Sequence, residues 1–334
     1  MKKIKIYFIE KSTDFNSDDL SSSKIAGSEK TLINIANALG KKEHLDIKVF
    51  NNTTKEKVSN NVSWVNINNI NHEDRPDYLI AMSDANLLNF IKSNKNFLWS
   101  HSVQSFEKFI RKKQFFSFLA NKPIVLLEGE YHYKTRSFFT ALYGKKIIKL
   151  APDYDFISTQ IDVNKIPAKK AIFTTRSDRN LIFLLKCWSQ IYRNSSQSEL
   201  YINPPYNLDT SEEQMQIKVR VKSSKNKLIN ELLDCRVMLN PGHKGEVYCL
   251  AAEEARELCL PIVTMGFGSL YERVDHNVTG FIANNEKDFI NYSIDILNND
   301  STYLKLKENL FKIKGIRTYE EVSNNLLDII NESG

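Results

Sequence analysis

With 334 residues, of which 42% are hydrophobic, the chain is longer than a single hydrophobic core usually serves, so we expect two domains. Its composition includes only 11 glycines and 8 prolines, which excludes a low-complexity or collagen-like chain. The formal net charge is +6. No apolar run reaches the ~20 residues of a membrane-spanning helix, and the first apolar run is too short for a signal peptide. We therefore expect a cytoplasmic protein with reduced cysteines.

Strands and helices are predicted to alternate through the first half of the chain, which is the pattern of parallel α/β architecture. The predicted strands cover residues 4–9, 46–50, 64–67, 78–82, 97–99, 124–127 and 147–150. A helix is predicted over 29–39, because apolar residues recur there at helical spacing. The Asn-rich tract 51–61 is predicted to be an exposed loop. We assign residues 1–155 to a first Rossmann-like domain.

A second series of alternating elements follows Pro152 and Pro167. Its predicted strands cover residues 171–174, 200–202, 217–221, 237–239, 262–264 and 280–282. Its predicted helices cover 178–192, 287–297 and 303–313. We assign 165–315 to a second Rossmann-like domain, and we expect the C-terminal helix, 319–331, to pack back on the first.

The densest set of candidate functional residues follows the predicted strand 237–239. The stretch Gly245-Glu246-Val247-Tyr248-Cys249 runs into a helix that carries Glu254, and strand 262–264 comes directly after that helix. Ligands of open α/β sheets bind at the carboxyl ends of strands, where helix N-termini attract anions. Eight helical residues rise about 12 Å, so we expect Glu246 at the mouth of a site and Glu254 two turns deeper.

The Glu-x7-Glu spacing by itself also fits a solvated helix face formed by Glu253, Glu254 and Glu257. The flanking residues favour a functional role. The stretch from Gly245 to Thr264 resembles the signature of the retaining glycosyltransferases of the GT-B fold, family 4 in particular. The following segment, 266–282, looks like the family's glycine-rich turn, helix and strand. The resemblance implies two Rossmann-like domains that face each other across a cleft.

This sequence departs from the family pattern at two places within the signature. Cys259 stands where the family has a glycine before the proline, and we expect this change to be absorbed by packing. Val247 and Tyr248 replace an aromatic-glycine pair, and this change is expected to reshape the sugar pocket. The resemblance implies that Glu246 holds the hydroxyls of the donor sugar and that Glu254 holds those of the ribose. It also makes Gly245, Val247 and Tyr248 part of the donor pocket.

Arg176 and Arg179 follow the predicted strand 171–174 and are expected to open the next helix. They resemble the family's Arg and Lys pair that binds the donor diphosphate, although Asn180 replaces the family's glycine. A guanidinium and helix-terminal N–H groups can stabilise the charge that develops on a departing diphosphate. Arginines on an ordinary surface are the alternative.

Two residues of the first half are candidates for the same pocket. Gly27 precedes the first long helix, where the family has a glycine turn, and a small residue there allows close approach of a substrate. His101 follows strand 97–99, where the family often has a histidine that lines the donor-sugar pocket at the cleft. An ordinary helix start and a structural histidine are the alternatives.

The segment 106–149 is strongly basic, with ten lysines and arginines against three glutamates, a net charge of +7. The basic residues are Lys108, Arg111, Lys112, Lys113, Lys122, Lys134, Arg136, Lys145, Lys146 and Lys149. Phenylalanines are interleaved with them, so the segment could rest on anionic lipid at roughly 1 kcal/mol per surface charge. An ordinary basic surface over a phenylalanine core fits equally well. No motif supports nucleic-acid binding.

The resemblance implies a retaining, hexosyltransferase-like enzyme that uses a nucleotide-diphosphate sugar as its donor and needs no cofactor. The acceptor would be a glycan or a lipid-linked sugar, in bacterial cell-surface polysaccharide or lipopolysaccharide biosynthesis, with possible peripheral membrane contact. We expect transfer without a metal ion, on the premise that no Asp-x-Asp triplet occurs in the chain. A catalytically silent GT-B binding protein and a sugar-nucleotide epimerase of the same fold stay open as alternatives.

Overall fold

The computed structural model describes residues 3–22, 25–135, 137–221 and 223–333, and Ser333 without its side chain. The chain forms two compact units. One comprises Met1–Ala151 together with Arg317–Gly334, and the other comprises Pro152–Ile316. In the described residues, no helix has both the length and the apolar character that a membrane span requires.

The first unit is built on an eight-stranded sheet. Its strands are β1 (Ile4–Ile9), β2 (Leu45–Asn51), β3 (Lys57–Ser59), β4 (Val62–Asn66), β5 (Tyr78–Met82), β6 (Lys95–Trp99), β7 (Ile124–Leu127) and β8 (Lys145–Ile147). The strand order is β3-β4-β2-β1-β5-β6-β7-β8, and every pair is parallel except β3 with β4.

The prediction of an exposed loop over 51–61 is wrong in part, because much of the tract is exposed but it is not a continuous loop. This tract contains β3, and Asn51 and Thr53 at its start are fully buried. Asn60 and Asn61 both have positive φ, 52° and 58°, between β3 and β4. Two successive residues of positive φ form the turn that best matches the twist of an antiparallel hairpin, and Asn adopts that conformation readily.

In the described part of the first unit, four α-helices lie between its strands. They are α1 (Gly27–Gly40), α2 (Phe106–Arg111), α3 (Phe115–Asn121) and α4 (Glu130–Thr135). The core of this unit joins strand residues such as Ile9, Leu98 and Val125 to Phe118 of α3.

The second unit is built on a six-stranded, fully parallel sheet. Its strands are β9 (Lys170–Phe173), β10 (Glu199–Ile202), β11 (Ile217–Val219), β12 (Val237–Leu239), β13 (Ile262–Thr264) and β14 (Gly280–Ile282). Its helices are α5 (Tyr154–Ser158), α6 (Leu181–Asn194), α7 (Thr210–Gln214), α8 (Lys225–Leu233), α9 (Leu250–Glu257), α10 (Glu286–Asn298) and α11 (Asp300–Lys312). The strand order is β11-β10-β9-β12-β13-β14.

Helices cover both faces of this second sheet. Side chains of a strand alternate between the faces, so Phe173 and Leu239 pack with Trp188 of α6 in one cluster. Ile172 and Met238 belong to a second cluster, which includes apolar residues of α8 and α9. This layered arrangement explains the continuous hydrophobic runs by which the strands are recognised in the sequence.

The last helix of the chain, α12 (Tyr319–Ser333), belongs to the first unit and packs against α1. The Tyr319 hydroxyl lies 3.4 Å from Thr31 Oγ1 of α1. Lys42, just beyond α1, donates to Asn324 Oδ1 at 2.7 Å.

Candidate functional site

The strand order of the second unit reverses between β9 and β12. From β9, the strands β10 and β11 are added in order towards one edge of the sheet. The strands β12, β13 and β14 are added in order towards the other edge. In open parallel sheets, ligands bind at the carboxyl ends of the strands beside such a switch point. The loops after β9 and β12 are therefore the expected location of a ligand site, and they carry most of the candidate functional residues.

Arg179 and Glu246 come together at this switch point. Arg179 Nε lies 3.5 Å from Glu246 Oε2 and 3.7 Å from Asp178 Oδ1. Arg179 Nη1 lies 2.9 Å from His243 Nδ1. The side chains of Arg179 and Glu246 are only 18% and 23% exposed, so their charges interact in a partly desolvated environment. In such a pair the guanidinium can bind an anion, and the carboxylate can accept hydrogen bonds from hydroxyl groups.

Gly245 lets the two loops approach closely. Its backbone N–H donates to His243 Nδ1 at 2.9 Å, and the next N–H, of Glu246, donates to the His243 carbonyl at 2.9 Å. A Cβ at position 245 would lie 2.8 Å from Arg179 Nη1 and 3.1 Å from His243 Nδ1. A side chain at position 245 would therefore displace the end of the Arg179 side chain from its contact with His243.

Arg176 is linked to the Arg179 group through Asp178, whose carboxylate pairs with both arginines. Its side chain is 75% exposed, and its Nη2 lies 2.5 Å from Asp178 Oδ2. The helix that both arginines were expected to open begins later, at Leu181. Asn180 has a left-handed φ of 63° and donates a short hydrogen bond to the Gly242 carbonyl, so it ends the loop and ties it to the loop after β12.

Glu246 and Glu254 are not related by helical spacing, contrary to the expectation. Helix α9 begins at Leu250, after Cys249 with its left-handed φ of 64°, so Glu246 lies in the preceding loop and only the half-buried Glu254 is helical. Burial raises the pKa of the Cys249 thiol, and the charges of Glu246 and Glu254 raise it further. Both carboxylates thus act electrostatically on the start of this helix.

Val247 and Tyr248 turn into the protein interior. They are 5% and 3% exposed. The Arg273 guanidinium lies 4.1 Å from the centroid of the Tyr248 ring, and its Nε donates to the Tyr248 carbonyl at 2.9 Å. The same nitrogen lies 3.1 Å from Glu253 Oε1. These two predicted pocket residues therefore support the Glu246 loop from within.

The alternative of a solvated glutamate face on α9 is wrong for two of its three members. Glu253 and Glu257 are 1% and 0% exposed, and both pair with arginines. Cys259 has a left-handed φ of 55°. Its replacement of the family's glycine therefore concerns the backbone conformation and not only packing.

His101 and Gly27 lie in the first unit. Gly27 is the first residue of α1 and is exposed. His101 follows β6, stacks on Trp99 with ring centroids 5.5 Å apart, and has its Nδ1 2.5 Å from Glu128 Oε1. Its Nε2 is buried and has no hydrogen-bond partner among the described residues. Glu128 is 3% exposed and donates its backbone N–H to His132 Nδ1 at 3.2 Å. The substrate contacts of Gly27 and His101 stay predictions.

The premise about metal motifs needs a correction, because one Asp-x-Asp triplet is present, Asp153-Tyr154-Asp155. Lys225 Nζ lies 3.0 Å from Asp153 Oδ2 and 2.8 Å from Asp155 Oδ2, so the Lys225 ammonium group forms ion pairs with both carboxylates. Within the described ranges, no cluster of three or more His, Cys, Asp or Glu side chains has the arrangement of a metal site.

Two residues with clear places in these networks were missed by sequence reasoning, His243 and Glu128. The available signals were modest. His243 stands between two glycines in a loop at the carboxyl end of a strand, and Glu128 directly follows β7. Polar residues at such positions are better placed than average to meet a ligand.

The second unit carries a sequence match to a known family. Residues 206–312 match the family model of glycosyl transferases group 1. This range includes Glu246 and Glu254 but covers less than half of the chain. Comparison with curated protein sequences gives no significant match.

Solved structures resemble almost the whole chain. HepE of Anabaena, solved with UDP and glucose, is 14% identical, with a TM-score of 0.68 over 98% of this chain and 100% of that one. WaaG, a glycosyltransferase involved in lipopolysaccharide biosynthesis, is 13% identical, with a TM-score of 0.69 over 98% and 99%. Sucrose-phosphate synthase from Thermosynechococcus elongatus is 12% identical, with a TM-score of 0.71 over 99% of both chains. The predicted GT-B class is confirmed at the level of the fold, an α/β protein with two largely parallel sheets.

Proposed function

We propose that the protein is a glycosyltransferase that moves a sugar from a nucleotide-diphosphate sugar to a hydroxyl of a glycan or lipid-linked acceptor. The observation that carries this proposal is the meeting of Arg179 with Glu246 at the switch point of the second sheet. This is the unit that contains the match to glycosyl transferases group 1. Acceptors of bacterial surface polysaccharides, including lipopolysaccharide, fit the proposal, and it places the protein in the cytoplasm.

In this proposal the charge that leaves with the diphosphate is stabilised by the chain's own donors. Arg179 binds the diphosphate, and the exposed Arg176 reaches it from the same loop. Glu246 accepts hydrogen bonds from hydroxyls of the donor sugar, and Glu254 accepts them from the ribose. Preorganised donors in a partly desolvated site stabilise developing charge without a metal ion, so we propose transfer that needs neither a metal nor another cofactor, with retention of anomeric configuration.

Nucleotide binding is the first test. UDP is the first candidate, because HepE was solved with UDP and glucose, and GDP and ADP are tested beside it. A ligand at ~100 times its dissociation constant adds about 2.7 kcal/mol of stability, which raises the melting temperature by several degrees. We expect Arg179→Ala and Glu254→Ala to lose the shift. Arg193→Ala is the matched control, because Arg193 is an exposed arginine of the same unit on α6. No shift with any nucleotide diphosphate would contradict the proposal.

Turnover separates the enzyme from its alternatives. A transferase releases nucleotide diphosphate only when an acceptor extract is present, whereas a silent binding protein releases none and an epimerase changes the sugar nucleotide alone. Proton NMR of the product reports the anomeric configuration and therefore tests retention. Chelation by EDTA is expected to leave the rate unchanged, and rescue by Mg²⁺ or Mn²⁺ after a loss would refute metal independence.

The acceptor side of the proposal includes contact with anionic lipid through an aromatic surface on the first unit. This surface consists of Phe106, Ile110, Phe116, Phe138 and Leu142, which are 47%, 49%, 81%, 82% and 57% exposed. Ring contacts connect its three phenylalanines through the less exposed Phe115 and Phe139. Exposed apolar side chains of this size near basic residues are typical of an interaction surface.

The charges near the aromatic surface favour a negatively charged partner. Exposed basic side chains of the same segment are Arg111, Lys112, Lys113, Lys122 and Lys134, whereas Arg136 lies outside the described residues. Two copies of so basic a surface would repel each other.

Vesicle binding tests this contact. We expect the chain to bind phosphatidylglycerol-containing vesicles more tightly than pure phosphatidylcholine, and salt to weaken the binding. Phe116→Ser and Phe138→Ser should each weaken it by about tenfold or more, from the lost burial of one aromatic side chain. Val58→Ser, at an apolar residue 73% exposed on β3, is the control. Equal binding by all variants would refute the assignment of this surface.

A further inference from the structure

His243 Nδ1 accepts two hydrogen bonds at the switch point of the second unit. One comes from Arg179 Nη1 at 2.9 Å and the other from the backbone N–H of Gly245 at 2.9 Å. A guanidinium and a backbone amide can only donate. Nδ1 must therefore carry a lone pair, and the proton of the neutral ring is on Nε2. The two neighbours thus fix the tautomer of His243.

The same contacts divide the nitrogens of Arg179 between the protein and a ligand. Nη1 is held by His243, and Nε faces Glu246 and Asp178 at 3.5 and 3.7 Å. Among the described residues, Nη2 makes no hydrogen bond to another part of the chain. The guanidinium is therefore hydrogen-bonded to the protein at Nη1, and Nη2 is left to donate to an anion.

We infer that His243 is a positioning residue, which holds the Arg179 guanidinium in the orientation that binds the diphosphate of a nucleotide sugar. The inference rests on the proposed function and adds to it a residue outside the sequence signature. An arginine side chain has many rotamers, and ordering it on ligand binding costs conformational entropy. A side chain that is already held in one orientation does not lose this entropy when the ligand binds. Gly245 serves the same arrangement, because a Cβ there would press on both Arg179 and His243.

A double-mutant cycle tests the inference. The probe is whichever of UDP, GDP and ADP binds the wild type most tightly, and titration calorimetry measures its affinity for His243→Ala, Arg179→Ala and the double variant. We expect His243→Ala to weaken binding about tenfold, the weight of one hydrogen bond to a charged group. If His243 acts through Arg179, the double variant should bind no worse than Arg179→Ala, within about twofold.

Two further variants separate positioning from a general structural role. His243→Asn keeps an acceptor oxygen near the place of Nδ1, and we expect it to restore affinity to within about threefold of wild type. His276→Ala is the matched control, because His276 Nδ1 also accepts a backbone N–H, from Ile282 at 3.0 Å, but has no arginine partner among the described residues. It should bind the probe like wild type.

Each outcome has a separate meaning. If the wild type binds no nucleotide diphosphate, the proposed function fails and the inference fails with it. If the wild type binds and His243→Ala binds equally well, only the inference fails. Losses that multiply in the double variant would show that His243 acts on the ligand independently of Arg179, which also overturns it. ¹⁵N NMR of the ring provides a check without any ligand, since a protonated Nδ1 would contradict the arrangement.

Discussion

Replacing Gly268 by alanine tests whether the loops of the second unit interlock as the structure shows. Gly268 follows β13 and has a φ of 70°. A Cβ there would lie 2.8 Å from the Glu246 carbonyl oxygen and closer still to that of His243. Neither carbonyl can rotate away as a side chain would, because each accepts a backbone hydrogen bond. The Glu246 carbonyl accepts the N–H of Ser269, and the His243 carbonyl accepts that of Glu246, both at 2.9 Å. The substitution therefore has to move the loop that carries the candidate site.

Gly315 provides a matched comparison within the same unit. Its φ of 73° is almost that of Gly268, but the nearest atom to a Cβ at 315 is Ile157 Cγ2, at an ordinary contact distance of 3.8 Å. Gly315→Ala thus measures the backbone cost alone, about 1–2 kcal/mol for an L-residue in the left-handed region. Gly268→Ala adds overpacking of about 1–3 kcal/mol and a strained hydrogen bond. We expect a total of roughly 3–5 kcal/mol.

Unit-resolved unfolding is the assay. The chain has three tryptophans, of which Trp188 is buried in the second unit and Trp64 and Trp99 are buried in the first. With 5-fluorotryptophan, the ¹⁹F signal of Trp188 reports urea unfolding of the second unit separately. We expect its midpoint to fall much further in Gly268→Ala than in Gly315→Ala, and the signals of the first unit to change little. Equal losses in the two variants would refute the interlocked geometry.

Three shorter predictions concern charge and burial. Although burial raises it, hydrogen bonds from Tyr7 and two lysines hold the pKa of Asp74 well below its usual value. The carboxylate thus stabilises the fold above about pH 4, the usual range for an unfolded Asp, and the effect is lost as the pH falls further. Asp74→Asn should cost about 2 kcal/mol at pH 7 by urea unfolding, and progressively less as the pH falls below about 4. Glu128 orients the ring of His101, whose Nδ1 lies 2.5 Å from Glu128 Oε1. We therefore expect Glu128→Gln to lower the rate of sugar transfer and to leave the nucleotide affinity unchanged by calorimetry. An equal loss of rate and affinity would contradict a role of Glu128 in orienting His101. Burial raises the pKa of all four cysteine thiols, so Ellman's reagent should label none before unfolding, and rapid labelling of one would refute its burial.

Much of the fold could be predicted because buried parallel strands are short apolar runs. Strands β1, β5, β7, β12, β13 and β14 have the predicted bounds, and the described structure differs elsewhere mainly at element ends. The errors have local causes. Helix α6 begins later than predicted, at Leu181, and α9 begins only at Leu250, because a left-handed residue precedes each, Asn180 and Cys249. Neither is a glycine, so the sequence carries little signal for that conformation.

The candidate site was less predictable, because it depends on which strands are neighbours. A hydrophobic run indicates that a strand exists, but it does not indicate that β12 pairs with β9 and not with β11. That pairing brings Arg179 within hydrogen-bonding distance of His243, 64 residues later in the chain. The resemblance to glycosyltransferases identified Arg179 and Glu246 as separate candidates, since each belongs to a recognisable motif. His243 belongs to no recognisable motif. Only the pairing of β12 with β9 shows that its Nδ1 lone pair faces the guanidinium of Arg179, the cation that we propose binds the diphosphate.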